Sequence, residues 1–223
     1  MCKQNIEIET YKYFSNLEGN QHIASEFALK KIIDIVKNYN VKNVLELGLG
    51  IGSISYGILE FSMEYDKHIK YIGTESNGFC LEVLPKYLKN KYDKIQIFGE
   101  LNEVPDDEKF DLIIIDGKDE NLIKIKKMTS DRGVIVIEGD RQPQLEIVKN
   151  IFPNYLYTRV ISNMHNPSYG PFSSLTLVGG IQLIFVNPNF YQKINFLYYK
   201  ICTAILYKLR VFKKYFSTSN SQK

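Results

Sequence analysis

The chain has 223 residues, 44% hydrophobic and 24% charged, proportions that suit one globular domain with a sizeable core and exclude a low-complexity chain. The net charge of +3 is unevenly held: nine Lys or Arg and no Asp or Glu follow Glu146, so residues 1–146 carry −6 and residues 147–223 carry +9. Cys2, Cys80 and Cys202 are too scattered for a disulfide framework or a metal knuckle, and Met1 to Glu7 has no apolar signal core, so a cytoplasmic protein is expected.

Residues 22–39 place Ile23, Phe27, Ile32, Ile33 and Val36 at a near-helical period and predict the first helix, with His22 at its start. Val41 to Leu47 predicts a buried strand that ends in Gly48, Gly50 and Gly52, and a helix follows over 53–62. The second strand is Ile69 to Thr74, stopping at Glu75. A helix over 78–91 comes next, interrupted by Pro85. Strands are then expected at Ile95 to Phe98, closed by Gly99, and at Asp111 to Asp116, which contains the run Leu112-Ile113-Ile114-Ile115. A short helix over 119–129, a strand from Gly133 to Glu138 and a helix over 143–151 complete an alternating pattern. Beyond Pro153 the pattern changes: Tyr155 to Ser162 and Gly180 to Val186 read as two strands joined by a long loop, Asn163 to Gly179. Residues 190–216 lack Gly and Pro and read as one helix.

Continuous Ile/Val runs alternating with helices indicate strands covered on both faces, hence a parallel sheet with right-handed crossovers. The glycine turn after the first strand lets a ligand approach backbone at the carboxyl edge of such a sheet. Glu46 makes that turn unusual. A phosphate site would repel a carboxylate there, whereas a ligand with an ammonium group favours one. The spacing is also G-x-G-x-G rather than the G-x-G-x-x-G of dinucleotide turns. With Glu46 one residue removed, the stretch Glu46-Leu47-Gly48-Leu49-Gly50-Ile51-Gly52 resembles the first motif of the class I S-adenosylmethionine-dependent methyltransferases.

The resemblance covers about residues 20–188. It implies a doubly wound, mainly parallel seven-stranded sheet with a C-terminal antiparallel pair and a terminal amphipathic helix. The expected organisation is a methyltransferase domain over 1–188, a basic helix over 189–216 and a disordered tail over 217–223. Glu46, Gly48, Gly50 and Gly52 would hold S-adenosylmethionine, and Glu75 would accept hydrogen bonds from its ribose, as acids at this strand end do in nucleotide folds. The resemblance puts Gly99 and Glu100 beside the adenine. Asp116, in Ile115-Asp116-Gly117, resembles the matching segment of small-molecule O-methyltransferases, with Asp119 where that branch often has His.

Three strand-end carboxylates, Asp116, Glu138 and Asp140, could hold a hard cation such as magnesium. The cation would lower the pKa of an acceptor hydroxyl. This set resembles the metal-dependent sugar and antibiotic O-methyltransferases, although Gly139 separates residues that are adjacent there. Asp140 and His165 are the candidate catalytic groups, with His165, in the loop over the open sheet end, as a general base near neutral pH. Arg141, Asn163 and Tyr169 are candidate substrate contacts. The reading is methyl transfer to a small-molecule hydroxyl, with a sugar as one acceptor. A non-catalytic binding or scaffold protein and a nucleotide-dependent oxidoreductase stay open as alternatives.

Ile194, Tyr198, Ile201, Ile205, Leu209, Phe212 and Phe216 form an apolar stripe on the last helix, with Lys193, Lys200, Lys208 and Lys214 toward the other side. No stretch of about 18 uncharged residues occurs, so a membrane span is not expected. The stripe would cover the protein's own core, pair in a homo-oligomer, or lie on an anionic membrane. No aromatic-basic recognition module points to nucleic acid.

Overall fold

The apolar runs form the seven strands of one sheet. The computed structural model describes residues 5–220. Its strands are β1 (Asn43–Leu47), β2 (Lys70–Thr74), β3 (Ile95–Phe98), β4 (Phe110–Ile115), β5 (Thr129–Glu138), β6 (Tyr155–Val160) and β7 (Ile181–Val186). They lie in the order β3-β2-β1-β4-β5-β7-β6. The first five are parallel, and β7 runs antiparallel to both β5 and β6. The order reverses between β1 and β4. In an open α/β sheet that reversal leaves a crevice outside the carboxyl ends of the strands.

Alternation along the strands builds two cores. Val44, Tyr71, Leu112, Ile114, Val134 and Val136 face one way, packing with helices α1 (Ile6–Ser15), α2 (Glu26–Asn38), α3 (Ser53–Glu64) and α4 (Gly78–Leu88). Leu45, Leu47, Ile113, Ile115, Ile135 and Ile137 face the other way, against α5 (Ile125–Met128) and α6 (Gln142–Ile151). Each such fully buried side chain contributes about 1.5–3 kcal/mol, so the central strands hold the crevice rigidly from below.

Several elements differ from expectation. Helix α1 was not anticipated; its buried residues include Thr10 and Ser15 beside Ile6, Tyr11 and Phe14, which blurs the apolar period. Helix α2 starts at Glu26, not at His22, because Ser25 caps it: the Ser25 Oγ accepts from the Ala28 N–H at 3.1 Å. His22 lies in a 3-10 turn, Asn20–His22, before the helix, and its side chain is outside those described. Pro85 does not break α4. It sits in the last turn, and the chain leaves the helix at Lys89 with φ +54°. Strand β5 begins four residues early, with a bulge opposite Phe110 and Leu112, which shortens the expected helix over 119–129 to a 3-10 turn and α5.

The last helix, α7 (Phe190–Asn220), runs past 216 because Ser217 to Asn220 contain no helix-breaking Gly or Pro. Residues 217–220 of the expected tail are therefore helical in their backbone. Residues 221–223 and Cys2 lie outside the described residues, as do the side chains of Lys214 and Phe216.

Candidate active site

A cleft of about 950 Å³ opens at the carboxyl ends of β1, β2, β4 and β5. Its floor is the glycine turn. Gly48 has φ +87°, and a Cβ there would stand 2.8 Å from the Gly117 backbone, so two turns, after β1 and after β4, cross where only glycine fits. Gly50 has φ +53° and faces open space: nothing lies within 4 Å of where its Cβ would stand. This is a backbone surface prepared for a ligand. Gly52 is different. It fits against Leu84 and Leu88 of α4 and does not line the cleft.

Glu75 spans this floor. Its Oε2 accepts from the Gly50 N–H at 2.7 Å, and its Oε1 accepts from the Ser76 and Asn77 N–H groups at 2.9 and 2.8 Å. A carboxylate offers about four acceptor sites. Three are used to fix its orientation, and Oε2 keeps one for a ligand hydroxyl. Gly99 and Glu100 also border the cleft, beyond β3, where the Gly99 N–H donates to Glu103 Oε2 at 2.6 Å.

Glu46 is not on the cleft wall. It is 1% exposed beneath the turn, where Oε2 accepts the Tyr71 hydroxyl and Oε1 has no partner among the described residues. Burial pushes its pKa well above the ordinary value, against the Tyr71 hydrogen bond and with the help of the Asp116 and Glu75 charges. The expected contact of Glu46 with an ammonium group is thus replaced by an internal one, because its alternation on β1 turns it into the sheet's helical layer.

A raised carboxyl pKa stabilises the fold fully below its unfolded value, near 4.3, and that contribution is lost as pH rises through the folded value. Glu46→Gln should flatten this slope. It should also raise the melting temperature at pH 8 by about 2–4 °C, the shift expected from ~1 kcal/mol in a domain of this size. Thermal melts of both proteins from pH 5 to about 8 check this, and an unchanged slope would mean that Glu46 is ionised in the fold.

Across the cleft, Asp116 follows β4 and Glu138 ends β5. Arg141 Nη2 donates to Asp116 Oδ1 at 2.6 Å, and Arg141 Nε donates to the Glu138 carbonyl at 3.1 Å. Burial raises both carboxyls; the Asp116 charge raises Glu138 further, and the Glu75 charge raises Asp116. The guanidinium counteracts this most at Asp116. Glu138 is therefore pushed up to about 7 and Asp116 to about 6. The Ser25 N–H also faces Glu138, and the Ser25 Oγ donates to the Gly179 carbonyl at 3.1 Å.

The expected metal set does not assemble. Asp116 is held by Arg141, and Asp140, 72% exposed, turns outward to Arg159 Nη2 at 3.0 Å. No group of three candidate ligands gathers among the described residues. A guanidinium stands where a cation was expected, and these donors do not fit a metal.

The other expected contacts separate in the same way. His165 Nδ1 meets the Ser174 carbonyl at 3.0 Å, and the ring is not part of the cleft wall. Asn163 is tied to α7 through Arg210 Nε at 2.8 Å. The Tyr169 hydroxyl donates to Glu26. Arg141 alone of the expected substrate contacts reaches the cleft.

The loop after β6 does lie over the opening. It folds into a short antiparallel arm in which the Asn166 N–H donates to the Thr176 carbonyl and the Val178 N–H to the Met164 carbonyl, both at 3.0 Å. It presents Asn166, Phe172, Thr176 and Leu177 to the cleft rather than His165. Gln21 and Ser25, from the turn before α2, complete the polar wall. Ser25 carried a visible cap signal in the sequence; Gln21, Asn166 and Thr176 carried none.

The sheet order and the position of this cleft define a doubly wound α/β protein with its cleft at the strand-order reversal. More narrowly, the chain has the fold of the class I S-adenosylmethionine-dependent methyltransferases. It is similar to an O-methyltransferase from Bacillus cereus solved in complex with S-adenosylhomocysteine, with 15% identity and a TM-score of 0.59 over 83% of this chain and 92% of that one. It is also similar to the S-adenosylhomocysteine-bound methyltransferase PaMTH1 of Podospora anserina, with 13% identity and a TM-score of 0.55 over 82% and 88%. A third match is the O-methyltransferase TomG of Streptomyces achromogenes, solved with S-adenosylmethionine and involved in tomaymycin synthesis, with 12% identity and a TM-score of 0.53 over 82% and 90%. No protein-family model matches the sequence, and no curated protein does.

Proposed function

We propose that the cleft binds S-adenosylmethionine and that the protein transfers its methyl group to a small-molecule hydroxyl, a sugar being one acceptor class. The observation that carries this reading is the open face of Gly50 beside Glu75, whose carboxylate is fixed by three N–H groups and keeps an acceptor site. Gly48 and Gly50 would admit the cofactor close to the backbone. Glu75 would accept a ribose hydroxyl, and Gly99 and Glu100 would border the adenine.

When bound, S-adenosylmethionine supplies a methyl group on a cationic sulfur, open to in-line displacement. The chain's part is alignment and proton removal. Glu138 is the base: it faces the cleft, and its raised pKa suits it to take a hydroxyl proton near neutrality. Arg141, held by Asp116, keeps a positive charge beside that carboxyl. Gln21 offers a hydrogen-bonding group on the same wall, whereas Ser25, Asn166 and Thr176 shape it while bonded within the chain, Ser25 Oγ to Gly179 and Ala28, Asn166 Nδ2 to Ser173 and Thr176, and Thr176 Oγ1 to Ser173. Asp140 and His165, outside the cleft wall, have no part in this scheme.

Calorimetric titration with S-adenosylhomocysteine, with magnesium and separately with chelator, tests the reading. Binding is expected near micromolar strength, about −8 kcal/mol, and unchanged by chelator. Methylation of hydroxyl acceptors should likewise survive chelation. Absence of binding would overturn the cofactor assignment, and binding with no transfer to any acceptor would point to the non-catalytic alternative.

A further inference from the structure

The amphipathic helix α7 is seated the opposite way round from the usual surface helix. Its inward face mixes polar with apolar side chains and is tied down by hydrogen bonds. Gln192 Nε2 donates to the Arg132 carbonyl at 2.9 Å, Thr203 Oγ1 to the Arg159 carbonyl at 2.7 Å, and Arg210 to the Ser162 carbonyl. Phe196, Tyr199, Cys202 and Leu206 add the apolar part of that contact. The apolar stripe instead points away from the body. Phe190, Ile194, Leu197, Tyr198, Ile201 and Ile205 are each half-exposed or more, Phe190 reaching 79%. They recur at three- and four-residue steps along one face. From Phe190 to Leu209 this face is about 30 Å long at 1.5 Å per residue, and scattered surface apolar residues do not form such a stripe.

Charge selects the occupant. Lys193 and Lys200 flank the stripe, and Lys208, expected toward the other side, lies within it, because about five helical turns separate it from Phe190. Among the described residues none of the three makes an ion pair. No acid occurs anywhere in the helix. A two-fold pairing with a second copy would set this all-cationic face against itself, with no carboxylate to answer the lysines. An anionic lipid surface answers both features at once. The apolar side chains enter the acyl boundary, and the lysines reach the headgroups by extending their stems. The tyrosines suit the same depth. No helix among the described residues is long and apolar enough to cross a membrane, so α7 would lie on the bilayer plane.

We propose that the outward face of α7 docks this protein on an anionic bilayer surface. The docking is independent of the reaction assigned to the cleft. It is tested with the whole protein by flotation with vesicles of neutral phosphatidylcholine and of phosphatidylcholine mixed with phosphatidylglycerol. Flotation should be at least about tenfold greater with the anionic vesicles and should weaken on added salt. Neutralising Lys193, Lys200 and Lys208 to Gln together should reduce it about a hundredfold. Ile194→Asp with Ile201→Asp should abolish it. Both sites are exposed, so an unchanged circular dichroism spectrum and melting temperature are expected of these variants. Absence of flotation with anionic vesicles, or equal flotation with neutral ones, would overturn the proposal. A dimer in light scattering that Ile201→Asp dissociates, with no flotation, would overturn it in favour of self-association.

Discussion

Glu138→Gln is expected to slow methyl transfer about 100- to 10,000-fold, the range over which a positioned general base contributes, with S-adenosylhomocysteine affinity unchanged. Glutamine keeps the shape of the side chain and removes its proton-accepting charge. The pH profile separates this role from a structural one. Burial and the Asp116 charge raise the Glu138 carboxyl to about 7, against the lowering effect of Arg141 and the Ser25 N–H. A base acts only when ionised, so the wild-type rate should fall on the acid side of about pH 7 and level off above it. The Asp116 charge contributes to the Glu138 shift, so the inflection reports both carboxyls rather than Glu138 alone. Arg141→Ala removes the cation that opposes their repulsion and should move the acid limb to higher pH, with lower rate at neutrality. A rate in Glu138→Gln equal to wild type, or the same acid limb in that variant, would remove Glu138 from proton transfer.

The sheet was legible because its strands are nearly pure apolar runs. Leu112 to Ile115 and Val134 to Ile137 are buried on both faces, and no surface demand blurs the pattern. The glycine turn was legible for a related reason, since a left-handed backbone at a strand end leaves few residue choices. Side-chain direction was not. Glu46 and Glu75 both read as cofactor acids, yet only Glu75, beyond the end of β2, turns into the cleft; Glu46 is still within β1, where pleating sends it under the turn. The same limit separates Glu138 from Asp140. They are two residues apart, but Gly139 at φ +69° redirects the chain between them, so one faces the cleft and the other meets Arg159 outside. The stripe on α7 was visible in the sequence, whereas the face it would bury was not. That choice depended on hydrogen bonds from Gln192, Thr203 and Arg210 to distant carbonyls. Sequence period reports amphipathicity and leaves the direction of docking to tertiary contacts.

Removing the Glu75 carboxylate should weaken S-adenosylhomocysteine binding about 10- to 150-fold, the equivalent of the 1.5–3 kcal/mol carried by a hydrogen bond to a charged acceptor. Glu75→Gln should lose nearly as much as Glu75→Ala. The carboxylate accepts from Gly50 on one oxygen and from Ser76 and Asn77 on the other. A glutamine amide must turn its NH2 toward one of those donors, leaving it unsatisfied and loosening either the floor or the turn after β2. Loss of affinity alone would not distinguish a direct ribose contact from a displaced Gly50. A cycle between protein and ligand does so. An S-adenosylhomocysteine analogue lacking the ribose hydroxyls should bind wild type as weakly as the natural ligand binds Glu75→Ala, and should lose little more in that variant. If the two losses add instead, Glu75 supports the cleft floor without touching the ribose, and the open face of Gly50 is what receives the cofactor.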